Sequence, residues 1–115
     1  MIEELASHVY KSLGAGHSER IYHNAMEVML RKNNIQYETE RIVPIVFEGH
    51  IIGNMRADLI VNGTTIVELK SVNKLTQGMR TQALNYLKLT GLRKALLINF
   101  PQCLSMDCEV VEVCI

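Results

Sequence analysis

The first 32 residues place apolar side chains at the three- and four-residue spacing of amphipathic helices. In the segment 2–13 these positions are Ile2, Leu5, Ala6, Val9, Tyr10 and Leu13. Gly14 follows directly, which is typical of a helix end. Ser18 can cap a second helix through its side-chain oxygen, and the apolar positions of that helix continue to Lys32. The pattern therefore predicts two helices joined by a short connection.

From residue 35 the apolar positions follow the period of two that is typical of strands. Four strands are predicted before the next helix, at residues 35–48, 51–52, 54–61 and 64–70. Asn62-Gly63 separates the last two and is a strong hairpin signal. We expect these strands to be antiparallel neighbours because short turns join them.

After residue 70 the chain alternates between helix and strand. Helical spacing returns at residues 75–89 and ends at Gly91, a buried strand follows at 95–100, and residues 109–115 predict a last, half-exposed strand. A helix that joins two strands of one sheet makes them parallel, with a right-handed crossover. Because 115 residues is the length of one domain, we expect a single α/β domain over residues 1–115. Its mixed central sheet would be flanked by helices.

The neutral net charge argues against strong nucleic-acid binding by overall electrostatic attraction. Twelve Lys and Arg residues balance twelve Asp and Glu residues. Strong nucleic-acid binders are usually basic, so such binding here needs a local patch, a metal ion or a partner.

The chain is expected to be an intracellular, cytoplasmic protein. Cys103, Cys108 and Cys114 form no CxxC pair and indicate reduced thiols. The N-terminus carries Glu3 and Glu4 and lacks the apolar stretch of a signal peptide. No apolar run is long enough to cross a membrane.

Two carboxylates interrupt otherwise apolar strands. Asp58 lies in the run Ala-Asp-Leu-Ile-Val, and Glu68 lies in the run Ile-Val-Glu-Leu-Lys. A carboxylate inside a buried strand is unfavourable unless it is paired or binds a metal. The alternative is that each carboxylate ends its strand and points to solvent.

The loop between the two strands decides whether these carboxylates lie together. Two apolar sets are expected to share one side of the hairpin: Met55, Ala57, Leu59 and Val61 on the first strand, with Thr65, Val67 and Leu69 on the second. Burying both sets leaves Asp58 and Glu68 on the other side, where Arg56 and Lys70 flank them. This requires a loop of odd length, because a two-residue type I′ turn would put the carboxylates on opposite faces. We expect a three-residue loop with a glycine bulge.

Two carboxylates and a lysine on one face are suited to phosphate chemistry. Carboxylate oxygens are ligands of Mg²⁺ or Mn²⁺, whose remaining positions hold water and phosphate oxygens. Such a cation lowers the pKa of bound water and offsets charge in a phosphoryl transition state. Lys70 would orient that water or neutralise the phosphate. The alternative is a structural ion pair between Glu68 and Lys70.

Several segments carry motif-like patterns in a fixed order. Residues 16–22 read Gly-His-Ser-Glu-Arg-Ile-Tyr, residues 56–59 read Arg-Ala-Asp-Leu, and the later segments are 66–72, 82–87, Gly91-Leu92 and 97–100. From about residue 5 to residue 101 the chain resembles the small GxxExxY proteins of the PD-(D/E)XK nuclease superfamily. Ala57 stands where the superfamily usually has a proline before the aspartate. The resemblance implies a restriction-endonuclease-like fold.

The resemblance also implies roles for the central residues. Asp58 and Glu68 would be metal ligands, and the backbone carbonyl of Leu69 would be a third. Lys70 would position the attacking water. The implied cofactor is Mg²⁺ or Mn²⁺.

The resemblance also implies that one residue from each of two helices lies at the edge of the site. Glu19 would reach it directly or through water, as a further metal ligand, and Gln82 would support it from the following helix. Without the resemblance, Glu19 is a first-turn residue that faces the helix dipole, and Gln82 is an exposed helix residue. The other candidate residues are expected to have structural roles. Tyr22 and Tyr86 would pack in the core, and His17 and His23 would lie on the surface.

Two classes of function agree with these observations. The first is a Mg²⁺-dependent nuclease that hydrolyses the phosphodiester bonds of DNA, with RNA as an alternative substrate. The second is a catalytically inactive binding or assembly module that keeps the nuclease fold, which the neutral charge and small size favour. The alternating residues 109–115 could then pair edge to edge in a homodimer.

Overall fold

The computed structural model describes residues 1–103 and 106–115. Its elements are α1 (Ile2–Leu13), α2 (Glu19–Lys32), β1 (Tyr37–Phe47), β2 (His50–Val61), β3 (Thr65–Lys70), α3 (Gln77–Thr90), β4 (Lys94–Asn99) and β5 (Glu109–Cys114). The five strands form one sheet in the order β1-β2-β3-β4-β5. Strands β3 and β4 are parallel, and the other neighbours are antiparallel. The predicted α/β class with a mixed sheet is confirmed.

Three strands, not four, precede α3. The sequence predicts separate strands at 51–52 and 54–61, and this is wrong because both belong to β2. The register of β2 against β1 shifts between Ile45 and Val46. Such a β-bulge accommodates one extra residue and bends the strand without ending it. Gly53 therefore lies within a continuous strand, where a glycine often marks a bulge.

Helices cover both faces of the sheet. One face packs against α1 and α2 in a cluster that includes Leu59 and Leu69. The other packs against α3 in a cluster that includes Ile60 and Ile66, the alternate positions of the same strands. The expected core places of the two tyrosines are confirmed: Tyr22 is fully buried and stacks on Phe100 with ring centroids 4.3 Å apart, and Tyr86 is buried on α3.

Side-chain caps fix where the helices begin. Ser18 Oγ accepts a hydrogen bond from the Ile21 N–H at 3.4 Å, as the sequence predicts for α2. Thr76 caps α3 in the same way, so this helix begins at Gln77, two residues later than its apolar spacing suggests. Because the caps fix the first turns, the residues of these turns have defined positions beside the sheet.

The structure also tests the expectations about membrane-spanning segments and about the cysteines. No helix within them is long and apolar enough to cross a membrane. Cys108 and Cys114 are free thiols. Burial raises the pKa of the Cys108 thiol to about 11, with a smaller contribution from Asp107, so this group stays protonated at neutral pH.

Candidate functional site

The loop between β2 and β3 holds three residues, 62–64. Its Asn-Gly pair adopts the left-handed backbone conformation, with φ of 55° and 67°. The odd loop that the sequence predicts is therefore confirmed. Leu59 pairs with Val67 across the hairpin, so the next position along both strands sets Asp58 opposite Glu68.

The strands separate at Asp58. On one side the ladder with β1 skips Glu40, the opposite residue, whose φ is 56°. On the other side the ladder with β3 stops at Leu59. The Asp58 carboxylate occupies this opening, where its Oδ2 accepts a hydrogen bond from the Leu69 backbone N–H at 2.8 Å. A side chain thus replaces strand pairing, and the orientation of Asp58 is fixed.

The interruption of strand pairing at Asp58 also changes which side of the sheet the apolar residues of β2 occupy. Met55 and Ala57 belong to the cluster under α3, whereas Leu59 and Val61 belong to the cluster under α1 and α2. The expectation that these four residues share one side is wrong, because the alternation of β2 changes side at Asp58. The two carboxylates nevertheless remain neighbours.

Glu68 is held in an unfavourable environment. Its side chain is 5% exposed, and Oε1 has no hydrogen-bond partner within the described ranges. Burial, followed by the charge of Asp58 and a hydrogen bond shared with it, raises the pKa of Glu68 to about 9, although the charge of Lys70 opposes this shift. Two carboxyl groups share a hydrogen bond only when one of them holds a proton. At neutral pH Glu68 therefore keeps its proton.

Lys70 lies at the end of β3 and is half-buried. Among the residues that the structure describes, it forms no ion pair with Glu68 or Asp58. The alternative of a structural Glu68–Lys70 ion pair is therefore not found. The amide of Asn99, the residue paired with Lys70, donates to the Val72 carbonyl at 2.9 Å and accepts from the Val72 N–H at 3.0 Å. These bonds fix the chain immediately after Lys70.

A cavity of about 180 Å³ opens beside Asp58 on the side of α2. Its lining residues are Glu19, Arg20, His23, Arg56, Asp58 and Leu69. The structure thus brings Glu19 to the same cavity as Asp58 and Leu69. Glu68, Lys70 and Gln82, an exposed residue of α3, lie outside this lining. Both arginines are exposed, and Arg20 is ion-paired with Glu40. Arg56 supplies positive charge at the cavity.

Glu19 owes its position to a locked connection before α2. The Tyr22 hydroxyl donates a hydrogen bond to the Gly14 carbonyl at 2.6 Å and accepts one from the His17 N–H at 3.3 Å. Ser71 Oγ donates to the His17 carbonyl at 3.1 Å, which ties this connection to the chain just after β3. The beginning of α2 is therefore fixed relative to the strand that carries Glu68.

Tyr22→Phe is expected to destabilise the fold by about 1–2 kcal/mol, because it leaves a partly buried carbonyl and N–H without their shared partner. Urea denaturation monitored by circular dichroism measures this change. Ser12→Ala, which removes an exposed hydroxyl from α1, is the control and should change the stability by no more than about 0.5 kcal/mol. An unchanged midpoint for Tyr22→Phe would contradict the structural role of this hydroxyl.

His23 was not expected at the site from its sequence context. The expected surface position is wrong, since His23 is 4% exposed. Its Nε2 lies 2.9 Å from Thr39 Oγ1 and 3.0 Å from Glu27 Oε2. Thr39 Oγ1 in turn donates to the Asp58 carbonyl at 3.3 Å. A signal was available, because His23 follows Glu19 by four residues and so shares its helix face.

Tyr86 approaches the carboxylates from the opposite helix. Its hydroxyl donates a hydrogen bond to the Arg56 carbonyl. Burial, followed by the charges of Glu68 and Asp58, raises the pKa of Tyr86 to about 12. The hydroxyl therefore stays protonated and holds β2 in place two residues before Asp58. The apolar spacing of α3 predicted its burial and gave no signal for this contact.

The donor set beside Asp58 fits a hard divalent cation. Within the described ranges no three Asp, Glu, His or Cys side chains form a group that could hold a metal. Two neighbouring carboxylates are available, and one of them has an unpartnered buried oxygen. Mg²⁺ is usually bound through one or two carboxylates and keeps several positions for water and phosphate oxygens. Glu68 and Asp58, with a backbone carbonyl, match this requirement.

Comparison with known proteins relates the whole chain to one superfamily. The family model of the PD-(D/E)XK nuclease superfamily matches residues 1–113, and no curated protein matches the sequence. The crystal structure of SSO0001 is similar with a TM-score of 0.61 and 22% identity, over 83% of this chain and 48% of that one. The chain thus spans about half of that structure, and the likeness concerns the fold alone. An alkaline exonuclease from Laribacter hongkongensis gives a TM-score of 0.49 and 9% identity, over 96% and 67% of the two chains.

Proposed function

Because the chain belongs to the PD-(D/E)XK nuclease superfamily, we propose that it is a metal-dependent nuclease that hydrolyses phosphodiester bonds of DNA. We further assign it to the GxxExxY branch on the motif at residues 16–22, whose Glu19 lines the cavity and whose Tyr22 locks the preceding connection. The observation that carries the proposal is the buried carboxyl oxygen of Glu68 beside Asp58, which has no hydrogen-bond partner among the residues that the structure describes. Protein interiors rarely leave such an atom without a functional reason.

The carboxylates of Asp58 and Glu68, with the Leu69 carbonyl, would hold Mg²⁺ or Mn²⁺. When bound, this cation would supply the positive charge that offsets the phosphoryl transition state and lowers the pKa of water. Glu68 must first release its proton, after which the pair carries two negative charges. Asp58 is already oriented by the Leu69 N–H, so binding needs little rearrangement of this ligand.

The surrounding side chains would bind and orient the substrate. Lys70 would donate hydrogen bonds to the attacking water and to a phosphate oxygen. Arg56 would attract the phosphate to the cavity, and Arg20, which is ion-paired with Glu40, would do so only on exchanging that partner. Glu19 would accept a hydrogen bond from the water, directly or through a second water. Gln82 would support the site from α3.

Incubation with Mn²⁺ or Mg²⁺ tests this function on linear and nicked DNA and on RNA of the same sequence. We expect DNA cleavage that EDTA stops. Lys70→Ala should slow it by roughly 100-fold while Mn²⁺ binding is retained, because Lys70 acts on water and phosphate rather than on the cation. Lys74→Ala, an exposed lysine in the next loop, is the control.

Each other outcome identifies the part that fails. Cleavage of RNA alone would keep the nuclease and overturn the substrate. No cleavage and no Mn²⁺ binding in calorimetry would favour the inactive binding module. Cleavage that is equal with and without EDTA would exclude the proposed site as its source.

A further inference from the structure

Half of the β1–β2 hairpin extends beyond the rest of the sheet. Strand β3 pairs with β2 only at residues 59–61, whereas β1 and β2 pair with each other out to the turn between Phe47 and His50. We refer to residues 42–55 as the arm. A two-stranded ribbon is marginally stable by itself in water, so the arm needs packing on at least one face.

Helix α3 covers one face of the arm. Val43 is buried there, and Ile45 and Met55 line a groove against Lys88 and Leu89. The alternate positions form the other face: Ile42, Pro44 and Val46 on β1, with Ile51 paired directly to Val46. All four are exposed. The second face of the arm is therefore largely apolar and lies open, with Asn54 opposite Pro44 and Arg56, just beyond the arm, opposite Ile42.

The exposed apolar surface of the arm is large for a chain of this size. The exposed fractions are 63% for Ile42, 58% for Val46, 62% for Phe47, 69% for Ile51 and 65% for Ile52. At roughly 100 Å² each, the four exposed apolar side chains of the second face (Ile42, Pro44, Val46 and Ile51) present on the order of 400 Å², within the range of the largest apolar patches on monomers. Two such faces together would bury roughly 800 Å², the size of a small, weak interface.

The charges of the arm decide what kind of partner it fits. Residues 42–55 contain no Lys or Arg, one Glu and one His. One cation, Arg56 opposite Ile42, borders the arm at its inner end. The rest of the face carries no cation that could hold a phosphate backbone, and its exposed aliphatic side chains match another apolar surface. We propose that a second copy of this chain docks there, arm against arm, about a two-fold axis. Two chains with no net charge approach each other without net repulsion.

The arm is a better candidate interface for a second copy of the chain than the edge strand β5. Glu109 and Glu112 are exposed on β5, and Glu112 is paired with Lys94 at 3.2 Å. Edge-to-edge pairing of two copies of β5 would bring these carboxylates together, which is unfavourable. The homodimer that the sequence predicts through residues 109–115 stays a prediction, and the arm is proposed as the better surface.

Sedimentation equilibrium of the full chain tests the proposal. We expect a monomer–dimer equilibrium with a Kd of about 10 μM, in keeping with a small interface. Val46→Lys and Ile51→Lys should each weaken it by at least about 10-fold, because either places a charge at the centre of the apolar face. Val28→Lys changes an exposed valine on α2 and is the matched control.

The outcomes separate docking from the proposed catalytic site. The variants should keep the thermal midpoint of the wild-type monomer at low concentration and should bind Mn²⁺ unchanged, because both residues lie near the turn of the hairpin, several residue pairs away from Asp58. A wild-type chain that stays monomeric at all concentrations would overturn the arm-to-arm dimer. A dimer that persists in both lysine variants would overturn it as well, and normal Mn²⁺ binding in either case would leave the nuclease proposal intact.

Discussion

Asp58→Asn is expected to reduce DNA cleavage by at least about 1,000-fold while the protein stays folded. The amide oxygen of asparagine can still accept the hydrogen bond that the Leu69 N–H donates to Oδ2. The negative charge is lost, however, and with it the anionic ligand that would hold the cation beside Glu68. Initial cleavage rates in Mn²⁺, with calorimetric Mn²⁺ titration and circular dichroism, measure the three effects separately.

Glu38→Gln is the matched control for this substitution. It removes one carboxylate from an exposed position of the adjacent strand β1, where Glu38 pairs with Arg41. Its cleavage rate should stay close to that of the unchanged protein. If Asp58→Asn cleaved at a comparable rate, the assignment of Asp58 as a metal ligand would be wrong.

Glu68→Gln is expected to stabilise the metal-free protein at about pH 8, by about 1–3 kcal/mol, while it abolishes Mn²⁺ binding. The native state keeps Glu68 protonated because it is buried beside Asp58. Glutamine has a similar shape and is neutral in both the folded and the unfolded chain. It therefore removes the free energy needed to protonate this carboxyl during folding.

The sign of the pH dependence follows from the raised pKa of Glu68. Below its ordinary value of 4.5 the group is protonated in both states and its contribution to stability is fully present. Between 4.5 and about 9 the unfolded chain releases a proton that the folded chain keeps, so stability falls as the pH rises. Above about 9 the loss is complete.

Urea denaturation of the metal-free protein at several pH values measures this effect. The gain from Glu68→Gln should grow from pH 5 to pH 9, whereas Glu109→Gln, an exposed carboxylate on β5, should show no such growth. Binding of Mn²⁺ to the unchanged protein should also release close to one proton at neutral pH, as calorimetry in buffers of different ionisation enthalpy would record. A Glu68→Gln gain that is absent or constant with pH would contradict the buried, protonated state.

The strand loop and the pair of carboxylates were predictable because burial outweighs turn preference. The apolar positions of β2 and β3 near the loop required an odd connection, and the three residues 62–64 provide it. The capping role of Ser18 and the burial of Tyr22 were equally predictable, because a helix cap and an apolar helix face are local sequence patterns. The resemblance of residues 16–22 to a known motif added Glu19, which local spacing alone explains as a helix-dipole residue.

Other features depended on contacts that no local pattern contains. Strict alternation assigns Met55 and Val61 to one side, and the structure separates them because pairing stops on both sides of Asp58. Because β2 continues through the bulge near Gly53, the two strands predicted there are one strand. His23 is buried because Glu27 and Thr39, from helix and strand, meet its ring. Each result arises from the relation between elements rather than from the sequence of one element.

A crystal soaked with Mn²⁺ shows through the anomalous signal of the metal whether Asp58 and Glu68 bind a cation together. We expect one peak between their carboxyl groups, within roughly 2.0–2.3 Å of an oxygen from each. Lys70 should lie nearby without contacting the metal. A strong peak elsewhere on the chain, with none between these two carboxyls, would show that they do not form the metal site.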